Sequence, residues 1–270
     1  MLPCNIGNTA RYAAIESPNL SGKKMNPTGK SNPQRQLLLA GAENVRDLGG
    51  YTTESGQITQ FHRFVRSGDM HSLSLDDQQA LLDYGIKSVI DLRMSWEIEA
   101  QPNVFHQSSM LEFRIHDFWG NRFDDYRSMN KSAPPARKLA DLYCRGLELS
   151  GFVMAEIMHT FAETKTGYLF HCRSGKDRTG LVAAMLLAIA GVSDNTICQD
   201  FALTQQYLKT GATNPIAASA PGAWQKTCEP ETMQFTLDFL TDHYGGAVSY
   251  LQHIGLLSSE LQRIKDCLTS

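Results

Sequence analysis

The sequence predicts an α/β fold in which a central, mainly parallel sheet is flanked by helices. Residues 168–170 form a short apolar and aromatic run, as a buried strand does. Residues 181–192 are almost wholly apolar and rich in strong helix formers, and they follow this strand after a polar loop. Upstream, helix signals alternate with strand signals, and this alternation favours parallel strands joined by helices.

The first helix-to-strand unit lies in residues 74–92. Ser74 and Asp77 have the spacing of a capping box, so they predict the start of a helix. Gly85 predicts the end of that helix, because glycine adopts the left-handed conformation that often follows a last helical turn. Residues 87–92 then form the predicted strand.

A second unit leads into the strand at 168–170. Residues 138–164 predict a helical region in which Gly146 and Gly151 are candidate break points. After the core helix at 181–192, residues 195–208 predict a further helix, which would be an insertion behind the core.

Length and composition indicate a globular chain of one or two domains. The chain has 270 residues, of which 42% are hydrophobic and 20% charged, so it can bury a substantial core. One set of motifs favours one domain over residues 36–270. Residues 1–35 are rich in Asn, Ser, Pro, Gly and Lys without a periodic apolar face, and they predict a flexible tail. The net charge of −3 gives no sign of nucleic-acid binding.

The loop at 171–180 places Cys172 and Arg178 six positions apart between a strand and a helix. In that order, loop amides and the helix N-terminus face one hollow, which favours a bound dianion and a thiolate. Thiolates in such surroundings have pKa values of about 3.5–7.5, so Cys172 is the predicted nucleophile. Arg178 has the planar fork that can clamp a phosphoryl transition state. The Thr179 hydroxyl could donate to the Cys172 sulfur and improve it as a leaving group.

Other chemistries for this loop fit less well. A nucleotide-binding P-loop requires Ser or Thr after its lysine, but Asp177 follows Lys176. A zinc site would need further Cys or His residues at short spacing, and none accompanies Cys172. A buried structural cysteine is the remaining alternative, but it does not account for the arginine and the flanking elements.

The string His-Cys-Arg-Ser-Gly-Lys-Asp-Arg-Thr-Gly at 171–180 resembles the signature of bacterial tyrosine phosphatases that also hydrolyse phosphoinositides, among them secreted mycobacterial and listerial phosphatases. The resemblance covers nearly all of residues 40–270, at segments 43–51, 66–68, 89–93, 244–246 and 250–251. It implies the cysteine-phosphatase fold, a phospho-cysteine on Cys172, and no metal or other cofactor. The implied substrates are phosphotyrosine and, with broader specificity, phosphoserine, phosphothreonine and phosphoinositides.

Two aspartates are candidates for the general acid that protonates the leaving group. Asp177 lies inside the loop, where the resembled family is thought to carry its acid; the alternative is that it accepts backbone N–H bonds. Asp117 precedes an aromatic pair and resembles the mobile aspartate of eukaryotic tyrosine phosphatases, or it forms an Asx turn before Gly120. The sequence leaves this choice open.

Substrate contacts are expected from the loop, and supporting contacts from residues around it. Lys176 could reach a second phosphate of an inositol ring or stay solvated at the rim. Arg66 and Ser67 could line the pocket or simply end a strand. The residues expected to bind substrate are Arg173, Ser174, Gly175, Lys176, Thr179 and Gly180. His171 is expected to orient the Cys172 backbone or to tune its thiolate, or else to be a core histidine. Arg46 with Asp47, and Asp91 with Arg93, are expected to form ion pairs that buttress the loop, or else to be ordinary turn and strand-end residues.

Residues 195–240 have two interpretations. Their middle part, 211–230, is rich in Ala, Gly, Pro and Thr. The resemblance implies a helical lid here, which would shield an ionised Cys172 from oxidation. An ordinary surface loop between two helices explains the composition equally well.

The chain shows no signal for a membrane or for secretion. No secretory apolar region follows Met1, and residues 181–192 are too few to span a bilayer. Six cysteines at scattered positions show no disulfide framework, and a catalytic thiolate requires reducing conditions. The cytoplasm is therefore expected, with export that needs no standard signal as the alternative implied by the resemblance. Nothing in the sequence predicts the oligomeric state.

The sequence thus predicts a cysteine-dependent phosphatase. Protein phosphotyrosine is the first expected substrate, and phosphoinositides are the main alternative. A phosphate-binding module without catalysis and a sulfurtransferase, which also uses a loop cysteine, are weaker alternatives.

Overall fold

The computed structural model describes residues 34–120, 132–163, 167–208 and 223–270. Its sheet has five strands in the order β1-β2-β5-β3-β4. The strands are β1 (Arg46–Asp47), β2 (Phe64–Ser67), β3 (Ser88–Asp91), β4 (Glu112–Ile115) and β5 (Tyr168–His171). Only the β1–β2 pair is antiparallel within this sheet, and the other pairs are parallel. The predicted α/β fold with a mainly parallel sheet is confirmed.

Helices connect the strands and form most of the second half of the described chain. In the first half they are α1 (Leu75–Asp83), α2 (Ser95–Ala100), α3 (Pro135–Leu149) and α4 (Gly151–Ala162). After β5 come α5 (Asp177–Ala190), α6 (Asp194–Tyr207), a 3-10 turn (Ala223–Lys226), α7 (Pro230–Tyr244), α8 (Ala247–His253) and α9 (Ser258–Thr269).

The two faces of the sheet bury two separate apolar clusters, because successive side chains of a strand point to opposite faces. On β5, Tyr168 and Phe170 join the larger cluster, which includes the apolar side chains of α3, α4 and α5. Leu169, between them, joins the smaller cluster with Leu81 of α1. The three central strands β2, β3 and β5 are buried along their whole length, as the apolar run at 168–170 predicts for a parallel strand covered on both faces.

The predicted first unit agrees with the structure. The Ser74 hydroxyl accepts from the Asp77 amide at 3.1 Å, and the Asp77 carboxylate accepts from the Ser74 amide at 3.1 Å. This reciprocal capping box starts α1, and Gly85 follows its end with a φ of 99°. The strand β3 lies within the predicted residues 87–92.

One predicted helix boundary was wrong. Helix α5 begins at Asp177, so the end of the loop at 171–180 forms its first turn, and it ends at Ala190 before Gly191. Of the two candidate break points between α3 and α4, Gly151 is confirmed, because the break falls at Ser150 directly before it, whereas Gly146 lies inside α3. Glycine is needed at 146 because a Cβ there would lie 2.3 Å from the Trp119 ring.

The remaining boundary predictions are tested in part. Most of the predicted tail, residues 1–33, lies outside the described residues, but Arg35 is buried and its carbonyl accepts from the Asp47 amide at 2.8 Å. The predicted helix at 195–208 is α6. Residues 209–222 of the lid prediction lie outside the described residues, and α7 packs against α3 and α6. Among the helices that the structure describes, none is long and apolar enough to cross a lipid bilayer.

Candidate active site

Cys172 follows β5 directly and is fully buried at the start of the loop that leads into α5. The loop turns sharply at Gly175, where φ is 66° and an added Cβ would lie 2.5 Å from the Ser67 carbonyl oxygen. Only glycine fits such a left-handed and crowded position. The backbone also joins the neighbouring strand end, since the Asp69 amide donates to the Arg173 carbonyl at 3.0 Å.

Arg178, in the first turn of α5, is held by a buried carboxylate that sequence reasoning missed. Its Nη1 lies 2.5 Å from Glu97 Oε2, and its Nη2 lies 3.1 Å from Oε1. This fork-to-fork pair fixes the plane of the guanidinium. Burial alone would raise the pKa of Glu97, but Arg178, the Met94 amide and Arg173 together outweigh burial and lower it.

Glu97 stands at the third residue of α2, where its carboxylate also accepts from the Met94 amide at 2.8 Å. The sequence signal that could have identified Glu97 is a glutamate at the third position of a helix that begins just after a parallel strand. The pKa of Arg178 is raised: burial lowers it, but attraction by Cys172, Glu97 and Asp177 prevails.

Asp177 begins α5, and its side chain is 28% exposed. The Tyr143 hydroxyl donates to Asp177 Oδ1 at 2.5 Å, and the Lys176 ammonium lies 3.2 Å from the same oxygen. Burial and the Asp177 carboxylate raise the pKa of Tyr143 well above its ordinary value, so the phenol remains a hydrogen-bond donor. One carboxylate oxygen is therefore anchored by contacts, and the side chain still reaches solvent.

Asp117 has the geometry of a turn residue. Its Oδ1 accepts from the Gly120 amide at 2.7 Å, and its Oδ2 accepts from the Ser95 amide at 3.2 Å. The adjacent aromatic side chains of Phe118 and Trp119 are buried in the larger cluster. Both oxygens of Asp117 thus bind backbone, and the residue caps α2, the helix that carries Glu97.

Lys176 is buried, since its side chain is only 4% exposed. The predicted alternative of a solvated lysine at the rim was therefore wrong. Its ammonium donates to the carbonyl of Gln225 and, at 3.3 Å, to that of Thr227. These carbonyls belong to the segment around the 3-10 turn that precedes α7. The lysine therefore joins the loop at 171–180 to the segment that follows residues 209–222.

Asp91 and Arg93 form the predicted ion pair beneath the loop. Arg93 Nη2 lies 2.7 Å from Asp91 Oδ2, and Arg93 Nη1 lies 2.9 Å from Asp69 Oδ1. His171 Nε2 lies 3.5 Å from Asp91 Oδ2 and 2.8 Å from the Asn103 amide nitrogen. Burial opposes the charge on Asp91, but His171 and Arg93 outweigh it and lower the pKa.

The predicted pairing of Arg46 with Asp47 was wrong. The two residues are adjacent on β1, so their side chains point to opposite faces. The Asp47 carboxylate accepts from the amides of Gly49 and His62 at 2.6 and 2.8 Å. It also accepts from the Tyr84 hydroxyl at 2.7 Å, so its contacts are those of a turn residue away from the loop.

Arg46 pairs instead with Asp200 of α6, its Nε lying 3.1 Å from Oδ1. Arg66 also pairs with Asp200, and its Nη2 donates to the Gly175 carbonyl at 2.8 Å. Asn44 donates to the carbonyls of Ser174 and Gly175, both at 3.0 Å. The residues around the loop that sequence reasoning missed are Asn44, Asp69, Glu97, Asn103, Tyr143 and Asp200.

Two hydroxyl groups near the loop are buried without a hydrogen bond to any described residue: those of Ser67 and Thr179. The predicted bond from Thr179 to the Cys172 sulfur is therefore not formed in this structure. Both hydroxyls remain available as donors.

A cavity of about 290 Å³ opens beside the loop. The exposed side chain of Arg173 and the half-exposed indole of Trp96 form part of its wall. Its acidic residues, Asp69 and Glu97, are already paired with Arg93 and Arg178.

Comparisons with known proteins agree with this geometry. A model of the tyrosine phosphatase family matches residues 37–270. A tyrosine-protein phosphatase of Nostoc commune is 30% identical over 217 residues, which are 75% of this chain and 72% of that protein. The triple specificity protein phosphatase PtpB of Mycobacterium tuberculosis is 23% identical over 283 residues, covering 85% of this chain and 98% of that protein. The resemblance read from the loop is confirmed: the chain belongs to the tyrosine phosphatase family and is a phosphatase.

Proposed function

We propose that the protein hydrolyses phosphotyrosine on proteins through a phospho-cysteine intermediate on Cys172. The observation that carries this proposal is the loop itself: a buried cysteine at a strand end, with Arg178 held in plane by Glu97. An arginine fixed in this way can grip two oxygens of a phosphoryl group throughout the reaction. The loop amides and the first turn of α5 supply further donors.

In the first step, the Cys172 thiolate attacks phosphorus, and the bond from phosphorus to the tyrosine oxygen breaks. Asp177 gives its proton to the departing phenolate, so tyrosine leaves neutral. In the second step, water attacks the phospho-cysteine, Asp177 takes a proton from that water, and the sulfur leaves as thiolate. Inorganic phosphate is then released.

Asp177 is the better candidate for the acid because of its surroundings. Its side chain reaches solvent at the start of α5, and Tyr143 and Lys176 hold one of its oxygens. The Asp117 carboxylate, in contrast, binds two backbone amides with both oxygens. A carboxylate engaged in that way must break a turn before it can transfer a proton.

Phosphoinositides are the second candidate substrate class. The Lys176 ammonium would have to leave the carbonyls of Gln225 and Thr227 before it could bind a second phosphate of an inositol ring. The described geometry therefore favours phosphotyrosine. Turnover of phosphotyrosine peptides, phosphoserine peptides and phosphatidylinositol phosphates, compared at equal concentration, will rank the classes.

The central experiment measures hydrolysis of para-nitrophenyl phosphate. We expect Cys172→Ser to abolish turnover, because a hydroxyl at this position is a far weaker nucleophile than a thiolate. Retention of turnover by that variant would refute the phospho-cysteine route. Turnover of thiosulfate without phosphatase activity in the unchanged protein would instead favour a sulfurtransferase.

A further inference from the structure

Asp200, on α6, lies at the centre of a buried charge cluster behind the catalytic loop. Its side chain is 2% exposed, and the side chains of Arg46 and Arg66 have no exposed surface. Three groups donate to its carboxylate: Arg46 Nε at 3.1 Å, the Tyr51 hydroxyl at 2.7 Å and Arg66 Nη1. Two guanidinium groups thus share one carboxylate.

The cluster contacts the catalytic loop through two side chains. Arg66 Nη2 donates to the Gly175 carbonyl at 2.8 Å. The side-chain amide of Asn44 donates through Nδ2 to the carbonyls of Ser174 and Gly175 at 3.0 Å, and its Oδ1 accepts from Arg46 Nη1. The arginines that Asp200 holds therefore determine where these two loop carbonyls point.

The direction of a carbonyl fixes the direction of the next amide. In a trans peptide the C=O and the following N–H are antiparallel. With the carbonyls of Ser174 and Gly175 held towards Asn44 and Arg66, the N–H groups of Gly175 and Lys176 face the opposite side. That is the side on which an oxyanion bound by this loop receives its backbone donors.

We propose that Asp200 is a positioning residue: through Arg66 and the Arg46–Asn44 pair, it orients the loop amides that bind the substrate phosphate. This inference rests on the proposed function of the loop. Without the carboxylate, two buried cations face each other unpaired. The charge on Arg66 is already disfavoured in the intact cluster, since burial first and Arg46 second lower its pKa to about 10. The carbonyls of Ser174 and Gly175 then lose their fixed donors, and the N–H groups of Gly175 and Lys176 are no longer held towards the bound phosphate.

The test is binding of tungstate, a tetrahedral dianion, measured by calorimetry at a temperature where each variant is folded. We expect Asp200→Asn to weaken tungstate binding about tenfold, as the loss of one hydrogen bond to a charged group would. The inhibition constant of inorganic phosphate should rise by the same factor. We expect Asn44→Gly to weaken tungstate binding by a similar factor, because it removes the two donors to the loop carbonyls. Glycine accepts the φ of 58° at this position, so the backbone is not strained.

The matched control is Asp77→Asn, another buried aspartate that accepts backbone amides, from Ala40 at 2.8 Å and Gly41 at 3.0 Å. It should lower the unfolding temperature and leave the tungstate dissociation constant unchanged. If Asp200→Asn does not fold, Tyr51→Phe removes one hydrogen bond to the same carboxylate, and we expect about threefold weaker binding.

Unchanged tungstate affinity in folded Asp200→Asn, or in Tyr51→Phe and Asn44→Gly together, overturns the inference. Tungstate binding requires no turnover, so this result is separate from the proposed function. Turnover that persists in Cys172→Ser refutes the phospho-cysteine route alone. Loss of tungstate affinity in Asp200→Asn supports the positioning role in either case.

Discussion

The position of the Arg178 guanidinium depends on Glu97, and this dependence can be tested on one residue. We expect Glu97→Gln to lower kcat/KM for para-nitrophenyl phosphate by about ten- to a hundredfold, because a neutral amide cannot accept both arms of the fork. Steady-state kinetics together with thermal unfolding will measure this effect.

The chain offers a matched control for that variant in the exposed Glu163, which pairs with Arg114 in the same two-bond geometry, at 2.7 and 2.9 Å. Glu163→Gln should leave kcat/KM within about twofold, since surface pairs contribute little. Equal effects of the two substitutions would contradict a specific role for Glu97.

The general acid can be identified by the pH dependence of the two aspartate variants. We expect Asp177→Asn to lose the basic limb of the kcat/KM profile, because only a protonated carboxyl can donate to the leaving oxygen. The loss should be larger with phosphotyrosine than with para-nitrophenyl phosphate, whose leaving group needs less help. Asp117→Asn should keep the limb and lower the unfolding temperature. The reverse pattern would assign the acid to Asp117.

At the scale of elements, the packing of the Trp119 ring against α3 requires glycine at position 146, because no side chain fits between the ring and the helix. We expect Gly146→Ala to destabilise the protein by about 2 kcal/mol, although alanine favours a helix by about 1 kcal/mol. The new methyl group would overlap the buried Trp119 ring at 2.3 Å.

Urea unfolding of Gly146→Ala will measure this loss. Glu148→Ala, at an exposed position of the same helix, is the control and should stay within about 0.5 kcal/mol of the unchanged protein. A stabilised Gly146→Ala would show that the ring can move away at little cost.

At the scale of the whole molecule, three buried carboxylates that form ion pairs make stability depend on pH. The pKa values of Asp91, Glu97 and Asp200 lie below their ordinary values of 3.8, 4.5 and 3.8. Burial raises each of these pKa values, but the cationic partners outweigh burial and lower them. The unfolded chain therefore binds more protons than the folded protein below about pH 4.5. Asp47, whose pKa burial raises, acts in the opposite sense and offsets part of the effect.

The resulting stabilisation is fully present above about pH 5, and it is lost progressively as the pH falls from the ordinary pKa values towards the lowered ones. We expect the free energy of unfolding in urea to decrease by at least about 2 kcal/mol between pH 5 and pH 3. A free energy that stays constant or rises over this interval would contradict the assigned ion pairs.

Local patterns predicted much of this protein. The capping box at Ser74, the apolar run 168–170 and the spacing of Cys172 and Arg178 are set by neighbours in the chain, so periodicity and propensity reveal them. Helix α5 began earlier than predicted, because its first turn carries the polar residues of the loop. Polar residues at a helix start look like loop when only apolar periodicity is followed.

The sequence by itself determined the α/β class, the family and the loop around Cys172, because those features are encoded in short contiguous stretches. Only the tertiary structure decided which distant side chains meet that loop. Glu97 of α2 binds Arg178 directly, and Asp200 of α6 is connected to the loop through Arg66. Asp47 turns away although it is the neighbour of Arg46. Strand alternation and helix packing bring these groups together through space, and a buried charge finds its partner by proximity in the fold rather than in the chain.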